Sequence, residues 1–108
     1  ERWAKKLTVN NVIDSFELSE DFSIIEASVP KEHAGKTIRE IGFRKKYNLL
    51  VLTIIKKSEV NSILGKSRTK LNIQGIASPD QHIKETDILV LYGSNKDLQE
   101  FLKQKRSR

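Results

Sequence analysis

The first sixteen residues carry apolar side chains at roughly helical spacing, with lysines and asparagines between them. Apolar residues that recur every three or four positions are typical of an amphipathic helix that buries one face. We therefore expect residues 1–20 to form a connecting helix that arrives from an upstream domain, and residues 21–108 to fold as the domain proper. The apolar stripe consists of Trp3, Leu7, Val9, Val12, Ile13 and Phe16.

Four later segments have the patterns of strands. Residues 22–29 nearly alternate and stop at Pro30, because proline has no amide proton for a sheet hydrogen bond. Residues 49–55 are a short, β-branched apolar run, which predicts a strand buried on both faces at the centre of the core. Residues 71–77 and 87–93 are predicted to be strands as well.

Two segments carry the signals of a helix start. Thr37 or Lys36 is expected to open the first turn of a short helix, and Gly42 is expected to interrupt or bend it. Ser94 is expected to cap the last helix by accepting a hydrogen bond from the amide of Asp97, whose carboxylate can reciprocate. The buried stripe of that helix is predicted to be Leu98, Phe101 and Leu102.

The segment 56–69 is polar and contains Gly65, so we expect a loop or a hairpin, with residues 59–62 pairing briefly. The order of elements is then helix, strand, helix, strand, possible hairpin, strand, strand, helix. Strands mixed with few helices predict an α+β fold. We expect a small mixed or antiparallel sheet packed with two helices, plus the N-terminal connecting helix.

The composition narrows the class of protein. The 108 residues suit one domain, hold no cysteine, and contain no apolar run near the about 18 residues that a membrane-spanning helix needs. The formal net charge is +6. The basic residues do not alternate with aromatic residues that could stack on bases, so we interpret them as solvated surface residues. The alternative is a basic interaction domain that binds nucleic acid or an acidic protein through Lys45, Lys46, Lys66, Arg68 and the tail.

Residues suited to catalysis or metal binding are few. The sequence has no phosphate-binding glycine loop, no zinc-protease motif and no serine-nucleophile motif, so we expect neither an enzyme nor a bound cofactor. Glu17, Glu20 and Asp21 cluster without the regular spacing of a calcium loop, and we interpret them as a solvated turn. His33 and His82 are expected to be exposed loop residues.

One longer phrase is more specific. It begins with Gly35-Lys-Thr-Ile, carries Arg44 before Tyr47, enters the apolar run 49–55, and is followed by Pro79 and the segment 86–93. In this order, these elements resemble the C-terminal regulator-of-potassium-conductance domain, also called the TrkA-C domain. The resemblance runs from about residue 22 to residue 101, and the upstream stretch 9–19 is similar to the linker that follows a nucleotide-binding domain in potassium-uptake regulatory subunits.

The sequence departs from the family pattern at three places. The segment 57–71 is longer than is usual, and Thr86 stands where a glycine is common. Leu50 also occupies a position where the members that bind cyclic di-AMP tend to offer a polar amide.

The resemblance implies a cytoplasmic, ligand-sensing regulatory domain that lies peripheral to the membrane. Such a domain forms a homodimer within a larger ring and binds a small effector, possibly cyclic di-AMP, to gate a membrane potassium-translocating subunit; nucleic acid is not an expected partner. The resemblance leaves open whether the domain binds another small ligand or no ligand. By position, Arg44 would bind phosphate, Ile38, Val51 and Pro79 would face the adenines, and the backbone near Leu49 and Leu50 would complete the pocket.

Overall fold

The structure, a computed structural model, describes residues 11–61, 64–65 and 67–103. Within them the chain has the expected α+β fold, with an antiparallel sheet and two α-helices. None of the described helices is long and apolar enough to cross a membrane. The strands are β1 (Val12–Glu17), β2 (Phe22–Ser28), β3 (Leu50–Asn61), β4 (Ser67–Ile73) and β5 (Ile88–Ser94), and the helices are α1 (Ile38–Ile41) and α2 (Asn95–Leu102).

The sheet has the strand order β1-β2-β5-β3-β4. The central strand is therefore β5, and the prediction that residues 49–55 form the central, doubly buried strand is wrong in this respect. Ile54 and Ile55 are buried, but Leu50 is 42% exposed on the opposite side of the sheet from the helices. A continuous apolar run does not reveal that one end of a strand faces solvent.

The predicted connecting helix is wrong where the structure describes it. Val12–Glu17 is strand β1, paired with β2. The register of this pair shifts between Val12 and Asp14. Such a bulge adds one residue to the strand and breaks its alternation, so Val12, Ile13 and Phe16 fall at helical spacing without forming a helix. Residues 1–10 of the predicted helix lie outside the described residues.

Helix α1 begins after Thr37, one of the two predicted starts, and Gly42 interrupts the helical segment as predicted. The hydroxyl of Thr37 accepts a hydrogen bond from the amide of Glu40 (3.1 Å), whose carboxylate accepts one from the amide of Thr37 (2.9 Å). This reciprocal capping box satisfies two amides that the helix leaves free. Gly42 ends the helix in the left-handed conformation with φ of 72°. A single π-helical turn, Phe43–Tyr47, follows and ends at Asn48, which is also left-handed with φ of 59°.

Helix α2 begins at the predicted cap, because the hydroxyl of Ser94 accepts a hydrogen bond from the amide of Asp97 (3.0 Å). The carboxylate of Asp97 does not reciprocate. It accepts a hydrogen bond from the side-chain amide of Asn48 instead (3.1 Å), which ties α2 to the turn before β3. The predicted stripe of Leu98, Phe101 and Leu102 is buried.

The core lies on one face of the sheet, between the strands and the two helices. The sheet contributes Ile25, Ala27, Ile54, Leu89 and Leu91, and the helical side contributes Ile41, Phe43, Leu98, Phe101 and Leu102. We call the other side of the sheet the open face. Phe16, Phe22 and Leu50 lie there, each about half exposed.

The segment 56–69 forms a hairpin, so the hairpin alternative is confirmed, with much longer pairing than expected. Beyond Ile55, strand β3 pairs with β4 alone, from Lys56 opposite Asn72 to Asn61 opposite Ser67. This two-stranded ribbon, which we call the arm, projects past the rest of the sheet. Strand β4 ends at Ile73, so residues 74–77 are not the strand that the sequence predicted.

Candidate functional site

A surface cavity of about 360 Å³ lies where the end of β5 meets the turn before β3. It is open to solvent, because two of its lining side chains, Phe22 and Leu50, are each 42% exposed. The lining combines one cation, two polar side chains, apolar side chains and two aromatic rings. It consists of Phe22, Arg44, Asn48, Leu49, Leu50, Tyr92, Gly93 and Ser94.

The apolar wall of the cavity belongs to a row of side chains that crosses the open face. Phe16 on β1 is opposite Ile24 on β2, Ile24 is opposite Tyr92 on β5, and Tyr92 is opposite Leu50 on β3. The ring of Phe22 is stacked on that of Tyr92, with centroids 6.0 Å apart and planes 18° from parallel. Stacked aromatic rings beside a leucine offer a flat surface to a planar, weakly polar group.

The cationic group at the cavity is Arg44, which lies in the π-helical turn. The left-handed residues Gly42 and Asn48 bracket this turn, and the amide of Leu49 closes it by donating to the carbonyl of Phe43 (3.0 Å). Arg44 is exposed and forms no ion pair with the described part of the chain. Its guanidinium is therefore available for an anion, and its planar set of donors suits a phosphate.

The polar side of the cavity is connected to the start of α2. Asn48 donates to Asp97, and Ser94 caps the helix. The neighbouring Asn95 donates its backbone amide to the carbonyl of Asp21 (2.8 Å) and accepts a hydrogen bond from the hydroxyl of Ser23 (2.6 Å). The cavity itself is lined by the start of β2, the π-helical turn, the turn before β3 and the end of β5, and these hydrogen bonds connect it to α2 and the β1–β2 turn.

The structure brings three of the six predicted site residues together at this cavity: Arg44, Leu49 and Leu50. Val51 lies outside it, because successive strand residues point to opposite faces and Val51 packs against the core. Ile38 also packs against the core. Pro79 is exposed, and its carbonyl accepts a hydrogen bond from the amide of Arg39 at α1 (2.8 Å).

The remaining lining residues are not evident from the sequence as parts of a site; they are Phe22, Asn48, Tyr92, Gly93 and Ser94. Phe22 and Tyr92 are 70 positions apart, and only the antiparallel pairing of β2 with β5 brings them together. Gly93 and Ser94 were assigned to the end of a strand and the cap of a helix. The available signals were an aromatic residue near one end of two predicted strands, 22–29 and 87–93, and an asparagine directly before the apolar run, where the left-handed conformation of Asn48 is needed.

His33 corrects another expectation, because it is buried rather than an exposed loop residue. Its ring stacks on Phe101 (centroids 5.2 Å, planes 10° apart) and meets Tyr47 edge-on (6.0 Å). Neither ring nitrogen forms a hydrogen bond with the described residues. Burial lowers the pKa of His33, the Glu32 carboxylate 3.5 Å away opposes this, and two nearby lysines, Lys36 and Lys46, add to the lowering.

Metal binding finds no support in the part of the chain that the structure describes. No group of three or more His, Asp or Glu side chains is placed there to hold an ion. Glu17, Glu20 and Asp21 are exposed, in agreement with the solvated turn that the sequence predicted.

Comparisons with known proteins identify two relatives and no matching family model. The chain is 32% identical over 104 residues to the Ktr system potassium uptake protein C of Bacillus subtilis (strain 168). The aligned region covers 94% of this chain and 40% of that protein. It is 29% identical over 98 residues to the Ktr system potassium uptake protein A of the same organism, covering 91% of this chain and 38% of that protein. The chain therefore spans about two fifths of the length of these relatives.

Proposed function

We propose that this chain is a cytoplasmic regulatory domain of a potassium-uptake system, and that it acts as a dimer which binds a small effector in the cavity beside Arg44. The similarity to two potassium uptake proteins over nearly the whole chain supports a role in potassium uptake. The observation that carries the binding function is the juxtaposition, in one open cavity, of a stacked aromatic pair with an arginine that has no ion-pair partner among the described residues.

The chemistry of the cavity fits a nucleotide. The guanidinium of Arg44 would bind a phosphate through paired hydrogen bonds. The stacked rings of Phe22 and Tyr92, with the side chain of Leu50, would contact the flat face of an adenine. Asn48 and Ser94 would supply polar contacts at the rim. Cyclic di-AMP combines these two chemical groups, and it is the effector we propose.

A second copy of the chain would complete this site. A volume of about 360 Å³ is at the small end of ligand pockets and leaves the ligand open to solvent. The apolar row from Phe16 to Leu50 runs from the cavity across the open face, and no described element covers it. Two copies that bury this row would bring two cavities together. Cyclic di-AMP has two identical halves, which suits a two-fold interface.

Regulation of transport would follow from the effect of the ligand on the dimer. An effector shifts a conformational equilibrium only by the difference in its affinity for the two states. In this proposal the dimer belongs to a larger ring on the membrane potassium-translocating subunit, and the effector favours one arrangement of the ring. The resemblance assigns the apolar wall to Ile38, Val51 and Pro79. These residues do not line the cavity, so their contact with a ligand stays a prediction.

The proposal is tested by thermal-shift measurements on the purified domain with cyclic di-AMP, ATP, NADH and calcium in parallel. A ligand that binds only the folded state raises the unfolding temperature as its concentration exceeds the dissociation constant. We expect a rise with cyclic di-AMP that is lost in Arg44→Ala and kept in Arg39→Ala, whose side chain pairs with Asp80 instead. The absence of any shift at ligand concentrations far above micromolar would contradict the binding function.

The same preparation separates this function from the alternative of a basic interaction domain. Binding to nucleic acid releases counterions and weakens steeply as salt rises. A dimer held by the apolar row persists at low and high salt alike, because burial of apolar surface does not depend on charge. Salt-sensitive binding to nucleic acid by a monomeric domain would favour the alternative.

A further inference from the structure

One corner of the sheet is acidic. Residues 11–30 contain five carboxylates and no lysine, arginine or histidine. Two of the carboxylates, Asp14 and Glu26, face each other across β1 and β2, an arrangement that destabilises a sheet unless a cation lies nearby. The other three, Glu17, Glu20 and Asp21, lie exposed at or beside the β1–β2 turn. We call residues 14–21 with Glu26 the acidic corner.

The arm is basic. Residues 56–73 contain five lysines and arginines and a single carboxylate, Glu59. Lys56 pairs with the buried Asp87, whereas the exposed Lys57, Arg68 and Lys70 form no ion pair with the described residues. The described side chains of the arm between Lys57 and Leu71 are all exposed. A two-stranded ribbon of this kind is marginally stable alone, so a contact that covers it would stabilise it.

The acidic corner and the arm lie diagonally across the sheet. Strands β1 and β4 are its two edges, with three strands between them. Strands β2 and β3 both run antiparallel to β5, and the acidic turn precedes β2 while the tip of the arm follows β3. Four strand spacings of about 4.8 Å already separate the edges by roughly 19 Å. Since charges in salt solution interact over about 8–10 Å, the two corners do not neutralise each other within one copy.

We propose that the acidic corner of one copy contacts the arm of a second copy, and that a two-fold dimer makes this contact twice. The inference rests on the proposed dimer and specifies how its copies are oriented. Charge complementarity indicates that the partner of each surface is a second copy of the chain. Each copy carries both the acidic corner and the basic arm, so two copies can satisfy each other's charges. Exposed apolar side chains accompany each charge and would be buried with it: Leu18 in the acidic corner, Ile13 directly before it, Leu71 on the arm and Ile73 at its base.

The same charges exclude competing arrangements. Among the described residues, the outer edges of β1 and β4 have no strand partner, and such edges are templates for strand pairing between copies. Pairing of β1 with another β1 would place carboxylates beside carboxylates, and pairing of β4 with another β4 would place cations beside cations. Charge therefore sets the orientation and the rate of association, while burial of the apolar row supplies most of the affinity.

Charge reversal tests the contact in the full chain. The corner variant carries Glu17→Lys, Glu20→Lys and Asp21→Lys, and the arm variant carries Lys57→Glu, Arg68→Glu and Lys70→Glu. We expect each variant alone to dimerise about tenfold or more weakly than the unaltered chain at low ionic strength, because like charges then meet. An equimolar mixture of the two should form a heterodimer of nearly full affinity, measured by sedimentation velocity. Recovery in the mixture also shows that both variants fold.

The matched control reverses three cations outside both corners, Lys31→Glu, Lys36→Glu and Lys84→Glu, and should leave dimerisation unchanged. A monomeric unaltered chain would overturn the dimer and the contact together. If the unaltered chain dimerises and both variants dimerise with the same affinity as it does, the contact alone would be overturned. The contact would also be overturned by an arm variant that loses binding to anionic vesicles or RNA while its dimerisation is intact.

Disulfide trapping gives an independent measurement, because the chain has no cysteine of its own. Glu20→Cys and Lys70→Cys chains of different tag size are mixed and oxidised under mild conditions. We expect the crosslink between unlike variants to dominate over both crosslinks between like variants. A predominance of like crosslinks would overturn the proposed orientation even where every variant folds and dimerises.

Discussion

The side chain of Leu49 fills the space that a Cβ atom on Gly93 would need. A methyl group at position 93 would collide with the Cδ2 atom of Leu49, which is 1% exposed and belongs to the core. Both residues line the candidate effector cavity. The absent side chain on β5 thus lets the turn before β3 approach closely, and this approach shapes the cavity floor.

Gly93→Ala should destabilise the domain by about 1–3 kcal/mol, the usual cost of forcing extra volume into a packed core. Chemical denaturation followed by circular dichroism measures the change. In a Leu49→Ala background the collision partner is gone, so the same glycine substitution should cost much less. Equal costs in the two backgrounds would show that the collision does not limit packing.

Asn48 combines a left-handed backbone with a hydrogen bond to Asp97, and two substitutions separate these roles. Asn48→Gly keeps the backbone conformation and loses only the bond. Asn48→Ala loses the bond and, unlike the glycine variant, keeps a Cβ atom in the left-handed region, which costs about 1–2 kcal/mol relative to glycine. Unfolding free energies should therefore rank the alanine variant below the glycine variant, and the reverse order would contradict this reading of the turn.

The buried carboxylate of Asp87 accepts hydrogen bonds from the ammonium of Lys56 (2.7 Å) and the amide of Lys84 (2.9 Å). Lys56→Met leaves that charge with one partner, and we expect a loss of about 2–4 kcal/mol because the lysine is partly exposed. Asp87→Asn removes the charge and should cost less. Arg39→Met breaks the exposed pair with Asp80 and serves as the control, with little expected effect.

His33 predicts a pH dependence of stability. Burial lowers its pKa in the folded state below the about 6.5 of an unfolded chain, so the folded protein favours the neutral ring. Its contribution is fully present above pH of about 6.5, declines as the pH falls from there to the lowered pKa, and is constant below it. His33→Phe keeps the stacking on Phe101 and should remove this component of the unfolding curve, whereas the exposed His82→Gln should not.

Local chemistry made some of the fold predictable from the sequence. Thr37, Gly42 and Ser94 act within a few residues of themselves: Thr37, one of two predicted starts, and Ser94 cap helices, and Gly42 interrupts one. Strand β1 and the arm depend on pairing partners that local patterns do not contain. The bulge after Val12 gives β1 apolar residues at helical spacing. The described side chains of the arm between Lys57 and Leu71 are exposed, so they show no alternation of buried and exposed positions.

The candidate site was partly predictable for the same reason. Arg44, Leu49 and Leu50 are close in sequence and meet in the cavity. Phe22 and Tyr92 reach it only through the register of β2, β5 and β3, which a single sequence does not specify. Neighbouring positions also diverge, since Leu50 faces the cavity and Val51 the core.

Isothermal titration calorimetry with cyclic di-AMP tests the effector site most directly. We expect saturable binding with one ligand per two chains and a dissociation constant in the micromolar range or below. Affinity should fall about tenfold or more in Arg44→Ala and in Tyr92→Ala, because a charged hydrogen bond and a stacked base each contribute that much. Lys45→Ala, next to Arg44 but outside the cavity lining, should bind normally. No heat of binding, or equal affinity in all four proteins, would contradict an effector site at this cavity.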